Sequence, residues 1–233
     1  MTTQVTVKQE TGLSVSTKPM GLENDVERKD LIIPRAKLLQ ALSPEVSEGN
    51  GKPGQIINSL TKEVLPAEFI PCIFFKQWIC FNPRDSKHPN YNPLFGPGDV
   101  VYQSMDPNDD RVKVDREFGP EGERPKATEF ISFVSYFPGV SMPVVVSFAN
   151  TSYKSGKQLL TMLNFGSKAI WQRKFKLGSK AEKNSQIGAT YHILTVEPAG
   201  DASDEDSAFA KGIWESLSPR KSDIQVHSDE SDN

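Results

Sequence analysis

The chain has 233 residues, of which 36% are hydrophobic and 24% charged, and its formal net charge is −3. This length suits one large or two small folded domains, and the composition suits a soluble protein with a moderate core. No apolar run approaches the roughly 20 residues of a membrane-spanning helix, which argues against an integral membrane protein. Residues 1–22 lack an apolar stretch, so we expect no secretory signal.

The small net charge hides an asymmetry along the chain. Residues 153–183 contain eight basic residues and one acidic residue, Glu182. Residues 197–233 contain ten acids and three bases, a balance of 3 − 10 = −7, so residues 1–196 carry −3 − (−7) = +4. A basic body followed by an acidic C-terminal segment is typical of a protein that binds a polyanion reversibly.

The first half of the chain begins without a clear secondary-structure pattern. Residues 1–29 are polar, mixed in charge and aperiodic, which predicts a disordered segment. Residues 30–40 combine an apolar start with a proline and predict one or two helical turns. Residues 55–58 and 63–65 flank a polar turn and predict a hairpin. Residues 69–81 give the strongest strand signal, because they are dense in isoleucine and aromatic residues.

The second half alternates strands with two helices. Residues 88–124 are polar and rich in proline and glycine, which predicts a long insertion with one short strand at 100–103. Two amphipathic helices are expected, one capped by Ser152 and ending at Phe165, the other capped by Ser203 and ending near Leu217. Four further strands are predicted at residues 128–137, 144–148, 170–177 and 191–196.

These elements predict a mainly β fold, an OB-like small β-barrel with one mid-chain helix. The nucleic-acid-binding domain would span residues 30–200, with the polar insertion at 88–124. An amphipathic C-terminal helix at 201–217 and a disordered acidic tail at 218–233 would follow it.

Cys72 and Cys80 are the two cysteines of the chain. In a regular strand they would lie on the same face about 26 Å apart, because each residue advances about 3.3 Å. That separation rules out a disulfide between them and indicates a reducing compartment, so we expect the protein in the cytoplasm.

The strand at residues 69–81 offers a candidate surface for stacking bases. Alternation places Phe74, Lys76 and Trp78 on one face, and two rings beside a cation suit a nucleic-acid platform. In the alternative interpretation both faces are buried and the lysine reaches outward to solvent.

A second candidate surface follows at residues 171–183. Alternation directs Trp171 and Phe175 inward, while Gln172, Lys174 and Lys176 face outward. Lysines continue through the next turn, so this ribbon could follow a phosphate backbone. An ordinary solvated strand, or edge lysines that prevent aggregation, would give the same pattern.

Motifs for catalysis and metal binding are incomplete in this sequence. Residues 151–158 resemble a phosphate-binding loop, but Thr151 and Gln158 stand where that loop needs glycine and a metal-binding hydroxyl. Residues 106–117 resemble a calcium loop, but Arg111 replaces the glycine of its sharp turn. The three histidines and two cysteines lack a zinc spacing. We therefore expect no metal, no cofactor and no enzymatic activity.

A resemblance to a known family rests on six short segments. These are residues 33–40 (IPRAKLLQ), 42–46 (LSPEV), 58–64 (NSLTKEV), 171–175 (WQRKF), 180–184 (KAEKN) and 196–200 (VEPAG). Over residues 30–200 the chain resembles the tailed-phage single-stranded DNA-binding proteins. The resemblance implies an OB fold that coats single strands and carries an acidic tail. Tails of that family often end in an aromatic residue that docks into partners, whereas this chain ends Ser231-Asp232-Asn233.

The sequence thus predicts a non-enzymatic protein that coats single-stranded DNA during phage replication or recombination, with RNA as an alternative ligand. Its acidic tail would compete for the groove and contact replication or recombination proteins in the host-cell cytoplasm. No membrane partner is expected, and the sequence is compatible with a homo-oligomer. The residues predicted to contact DNA are Phe74, Lys76, Trp78, Tyr136, Tyr153, Lys154, Lys157, Lys168, Arg173, Lys174, Lys176, Lys180 and Lys183.

Two other functions stay open. A protein-interaction or virion-associated module would dock an acidic partner on the basic segment, and its C-terminal helix would present Phe209, Ile213 and Trp214. A metal nuclease would use carboxylates of the insertion, and it would cleave nucleic acid in a magnesium-dependent way. The carboxylates concerned are Asp106, Asp110 and Glu117.

Overall fold

The computed structural model describes residues 32–226 except 121, 186 and 187. The strands are β1 Ile32–Ile33, β2 Ala36–Leu38, β3 Ile56–Asn58, β4 Glu68–Phe81, β5 Val100–Ser104, β6 Ala127–Tyr136, β7 Val144–Phe148, β8 Arg173–Lys183, β9 Thr190–Asp201 and β10 Gln225–Val226. The helices are α1 Pro44–Ser47, α2 Asp110–Asp115, α3 Tyr153–Asn164 and α4 Asp204–Leu217. The disordered segment predicted at 1–29, and the predicted tail from residue 227 on, lie outside the described residues.

One antiparallel sheet organises the fold. Its strand order is β7-β6-β4-β8-β9, and β5 pairs with the C-terminal end of β4. β6 pairs along almost the whole of β4, while β5 and β8 share the opposite edge. The predicted mainly β class is confirmed. Within the described residues, strand pairing does not close this sheet into a barrel.

The antiparallel pair of β2 and β3, which are joined through α1, lies between the two outer strands, β7 and β9. On one side, Arg35 forms a parallel bridge with Val145 of β7. On the other side, the Gln40 side chain donates to the His192 carbonyl at 3.0 Å and accepts from the His192 N–H at 2.8 Å. The helical turns predicted for residues 30–40 are therefore wrong, because backbone groups there pair with neighbouring strands.

Helix α3 covers one face of the sheet. Leu159 and Leu163 are buried there in the same cluster as Phe175 of β8. At Gly156 the helix comes so close to β7 that an added Cβ would lie 2.6 Å from the Cβ of Phe148. Glycine is required for this close approach. The predicted helix is confirmed in extent, although the Ser152 hydroxyl binds β9 instead of capping it.

Helix α4 covers the opposite face. Ala210 is fully buried in a cluster with Ile70 and Phe75 of β4. The Ser203 hydroxyl accepts a hydrogen bond from the Asp206 N–H at 3.1 Å, which confirms the predicted N-terminal cap. None of the described helices has the length and apolar character needed to cross a bilayer.

The chain remains folded beyond α4. A 3-10 turn, Ser218–Asp223, leads to Ile224, which is 6% exposed and belongs to the α4 cluster. β10 then pairs in parallel with β1. The solvated tail predicted from residue 218 is therefore wrong for residues 218–226, because an apolar side chain anchors this segment.

The polar insertion contains more structure than its sequence predicted. The predicted strand is confirmed as β5, and the short helix α2 was not expected. Val112 of α2 is fully buried against Trp78 and Ala127. The Asn82 amide group donates to the carbonyls of three loop residues, each at 3.0 Å, and so organises the loop before β5.

A β-bulge in β4 changes the faces that were predicted for the cysteines. The register with β6 shifts between Pro71 and Ile73, so Cys72 is the extra residue. Cys72 packs with the α4 cluster, whereas Cys80 packs with Trp78 near α2. The two thiols are free and lie in different clusters, so the prediction that they share a face is wrong.

We expect the two thiols to differ in reactivity. Burial raises the pKa of the Cys72 thiol to about 12. The pKa of the Cys80 thiol is also raised, mainly by burial and to a smaller extent by the nearby Asp115 carboxylate. Because the thiolate is the reactive species, Cys80 should react with a disulfide reagent at pH 8 before Cys72. In guanidinium, which unfolds the protein and exposes both thiols, the two cysteines should react at similar rates. Equal rates in the folded protein would contradict this burial.

The raised pKa of the Cys72 thiol predicts that the stability of the protein depends on pH. Unfolded Cys72 ionises near its ordinary pKa of 9.0, whereas the folded protein keeps the thiol protonated up to about pH 12. Between these values the folded state binds more protons, so the free energy of unfolding should fall as pH rises. Denaturant titrations of the wild type and Cys72→Ala at pH 8 and pH 10 measure this slope, which should be shallower in the variant.

Candidate nucleic-acid interface

The outer surface of α3 carries exposed cations and an exposed ring. Gly156, Leu159 and Leu163 form the buried side of this helix. Lys154 and Phe165 lie on the opposite side and are exposed, as expected from a repeat of 3.6 residues per turn. Phe165 directly follows α3 and is 85% exposed. The two side chains are separated by about 16 Å of helix, because each residue advances 1.5 Å.

The stretch of sequence that contains α3 has no acidic residues. No aspartate or glutamate occurs between residues 130 and 181, and this stretch contains seven basic residues. On α3 itself, Lys154 and Lys157 are exposed, and the Lys157 Nζ lies 5.7 Å from the ring centre of Tyr153. The Glu129 carboxylate of β6 lies beside Tyr153, but α3 itself carries no carboxylate. A cationic helix without acidic residues of its own would attract a phosphate backbone.

The predicted lysines do not form one shared groove. Phe175 and Leu177 of β8 are buried in the cluster that α3 covers. Because side chains alternate along a strand, Lys176 points to the opposite face of the sheet from α3. Lys174 lies near Glu68, with its Nζ 2.9 Å from a carboxylate oxygen. Lys174 and Lys176 of β8 therefore belong to a different surface from the lysines of α3.

Several of the predicted phosphate contacts have partners within the protein. Arg173 donates to the Met162 carbonyl near the end of α3, and its guanidinium lies 5.4 Å from the Phe175 ring centre. The ion-pair distances are 2.7 Å for Lys168 with Asp201 and 3.4 Å for Lys180 with Glu182. Lys183 is exposed at the end of β8. Arg173 therefore stabilises the helix end, and its proposed phosphate contact is not supported.

The side chains of the platform predicted at Phe74, Lys76 and Trp78 are also occupied by contacts within the protein. Trp78 is 7% exposed beneath α2, and the Phe74 ring lies 5.4 Å from that of Phe133. The Lys76 ammonium pairs with Glu129 at 2.6 Å. The faces predicted from alternation are right after the bulge, but α2 covers Trp78, and Phe74 packs against the cluster to which α3 contributes.

The two predicted tyrosines are partly buried. The Tyr136 ring packs against that of Phe209 of α4 in a tilted arrangement, with ring centres 4.6 Å apart. Burial, together with the Glu129 carboxylate, raises the pKa of the Tyr153 hydroxyl to about 12. Tyr153 therefore contributes to the attachment of α3, and Phe165 offers the more accessible ring.

Phe165 was missed as a site residue because it was interpreted as the end of the helix. Its position, eleven residues after Lys154, places it on the same side of α3 and away from Leu159 and Leu163. A helical projection of residues 153–165 therefore contains the signal. An exposed phenylalanine on a cationic helix suits base stacking.

The chain matches a family of phage proteins over most of its length. Residues 9–222 match the family described as Pam3 phage gp34-like protein. The chain belongs to this family. It is therefore a phage protein, as the sequence resemblance implied in part. No curated protein and no solved structure matches the chain.

The acidic residues of the insertion that the structure describes do not form a metal site. Among the side chains that the structure describes, no three histidine, cysteine, aspartate or glutamate residues form a group that could hold a metal ion. In the insertion, Asp109 caps α2 and pairs with Arg111 at 2.8 Å. The hydrogen bond from Arg111 holds the pKa of the Asp109 carboxyl far below its ordinary value.

Proposed function

We propose that this phage protein binds single-stranded DNA through the outer surface of α3, without catalysing a reaction. The proposal is supported chiefly by one observation, which is that Lys154 and Phe165 share the exposed side of a helix without acidic residues. A cation for phosphate and an open ring for a base are the two contacts that single-strand binding uses. Duplex DNA keeps its bases stacked, so an exposed ring favours single strands.

In this proposal the protein coats single strands during phage replication or recombination in the host cytoplasm. Its replication or recombination partners would bind the acidic C-terminal segment. The rival interaction module is less well supported, because Trp214 of α4 packs on Trp171, with ring centres 4.6 Å apart. Ile213 is also partly buried, which leaves Phe209 as the more exposed ring of α4.

Fluorescence anisotropy with labelled oligonucleotides tests the proposal. Single-stranded DNA, duplex DNA and RNA of equal length should be compared at two salt concentrations. We expect the tightest binding to single-stranded DNA and a strong loss of affinity at higher salt, because phosphate contacts release counterions. Affinity that is independent of salt, or equal for duplex and single strand, would contradict the proposal.

Phe165→Ala should weaken single-strand binding by about tenfold, because each stacked base contributes roughly 1–3 kcal/mol. The free energy of unfolding should change by less than about 0.5 kcal/mol, since the ring is 85% exposed. Anisotropy and thermal unfolding measure the two effects. Phe118→Ala is the matched control, because Phe118 is 70% exposed outside this surface. Equal binding by both variants would remove Phe165 from the interface.

Removing residues 227–233 tests competition by the acidic segment. This truncation deletes Asp229, Glu230 and Asp232 and keeps Ile224, which is part of the folded protein. We expect binding to tighten several-fold at low salt and to be unchanged at high salt, because salt screens the competing carboxylates. A full-length variant with the three acids replaced by amides is the control. Unchanged or weaker low-salt binding in both variants would exclude competition.

A further inference from the structure

A cleft of about 420 Å³ opens beside the N-terminal end of α3. Its walls come from the segment around β2, the 3-10 turn Asn150–Ser152, β9 and the loop after β4. Its lining includes three basic residues and one histidine, and none of the described lining residues is acidic. They are Arg35, Lys37, Arg84 and His192.

Hydrogen bonds hold the walls of this cleft together. Gln40 binds both backbone groups of His192, at 2.8 and 3.0 Å. The Ser152 hydroxyl accepts from the Leu194 N–H at 2.9 Å, and the Ser155 hydroxyl donates to the Leu194 carbonyl at 2.7 Å. β2, α3 and β9 are therefore joined around the opening. A cleft that is already formed binds its ligand at a lower entropic cost.

The charges in the cleft differ in their roles. Lys37 is 3% exposed and donates to Glu45 at 2.9 Å, so this pair is part of the folded core. Arg84 is exposed on the loop after β4. The backbone of Arg35 is fixed by the Ser59 hydroxyl at 3.0 Å and by Val145 of β7. Guanidinium groups match the geometry of phosphate oxygens, and the adjoining helix start adds a favourable dipole.

We propose that this cleft binds the phosphate group of a nucleotide, either free or within a strand. The volume lies in the range of small-molecule sites, and the Arg35 and Arg84 side chains in its lining favour an anion. Asn150–Ser152 run directly into the turn that carries Lys154, so a strand on α3 would reach the cleft. The identity of the ligand rests on the proposed single-strand binding.

Chemical-shift titration of the full chain tests the cleft separately from strand binding. The probes are thymidine 5′-monophosphate, thymidine, and a peptide with the sequence of residues 227–233. We expect the monophosphate to shift the amide signals of residues 150–152 and 192, while thymidine leaves them in place. Arg84→Gln should weaken this binding about tenfold, because hydrogen bonds between charged groups are strong. Arg124→Gln, which removes an exposed arginine elsewhere, should bind as the wild type does.

Each outcome decides between the cleft and the strand surface. Monophosphate shifts that are lost in Arg84→Gln support the cleft even where no oligonucleotide binds, and that result would overturn only the proposed function. Oligonucleotide binding without monophosphate shifts, and without an effect of Arg84→Gln, overturns the cleft and keeps the α3 surface. Shifts caused by the acidic peptide but not by the monophosphate would identify the cleft as a docking site for carboxylates and overturn the phosphate proposal.

Discussion

Replacing Lys154 and Lys157 together by glutamate is expected to weaken binding to single-stranded DNA by at least about 100-fold at low salt. Each substitution removes an attraction to phosphate and adds a repulsion, and charged contacts contribute about 1.5–3 kcal/mol each. The slope of log K against log salt should become shallower by about 1.4, because each single-strand phosphate contact contributes about 0.7. The helix should persist, since glutamate and lysine have similar helix propensities.

The matched control is the double reversal Lys113→Glu and Lys211→Glu. It changes the net charge by the same amount, and both lysines are about half exposed, on α2 and α4. This control should bind nearly as well as the wild type. An equal loss of affinity in both double variants would mean that net charge alone, and not the α3 surface, causes the effect. If Lys176→Glu with Lys180→Glu causes the larger loss, the interface lies on β8 and not on α3.

The sequence predicted individual elements well where their signal is local. β4, β6, β7 and both amphipathic helices were located within a few residues. Their signals are alternation, helical periodicity and turn residues, which depend on neighbouring positions in the chain. The Ser203 cap is such a case, because its partner Asp206 is three residues away.

The predicted single groove is divided in the structure for a reason that no local pattern contains. Alternation correctly separated Phe175 and Leu177 from Lys176 on β8. It could not reveal that α3 packs on the face of Phe175 and Leu177. The packing of α3 on that face separates its lysines from Lys174 and Lys176 of β8, so the single predicted groove becomes two surfaces.

The bulge at Cys72 and the anchor at Ile224 have similar causes. One extra residue in β4 exchanges the two faces of the strand, yet its sequence is compatible with a regular strand. Ile224 stands among polar residues, and its burial depends on a cluster formed by α4 and β4. Both features follow from partners that are distant in sequence.

Trp78→Ala should lower the free energy of unfolding by about 3–5 kcal/mol, the cost of truncating a large buried side chain. Trp78 is 7% exposed and packs on Val112 and Ala127 where α2 meets the sheet. For a chain of this size the melting temperature should fall by roughly 10 °C. Thermal unfolding followed by circular dichroism measures this change, and Trp78→Phe should lose less because it keeps a ring.

The same variant separates a structural role of Trp78 from a binding role. At a temperature where Trp78→Ala is still folded, it should bind single-stranded DNA as the wild type does, because α2 covers the indole. Phe165→Ala should show the reverse behaviour, with normal stability and weakened binding, since its ring is 85% exposed. A stable Trp78→Ala protein with weakened DNA binding would indicate that bases stack on β4, as the sequence predicted, and not on Phe165. It would also require α2 to move away from the sheet when DNA binds.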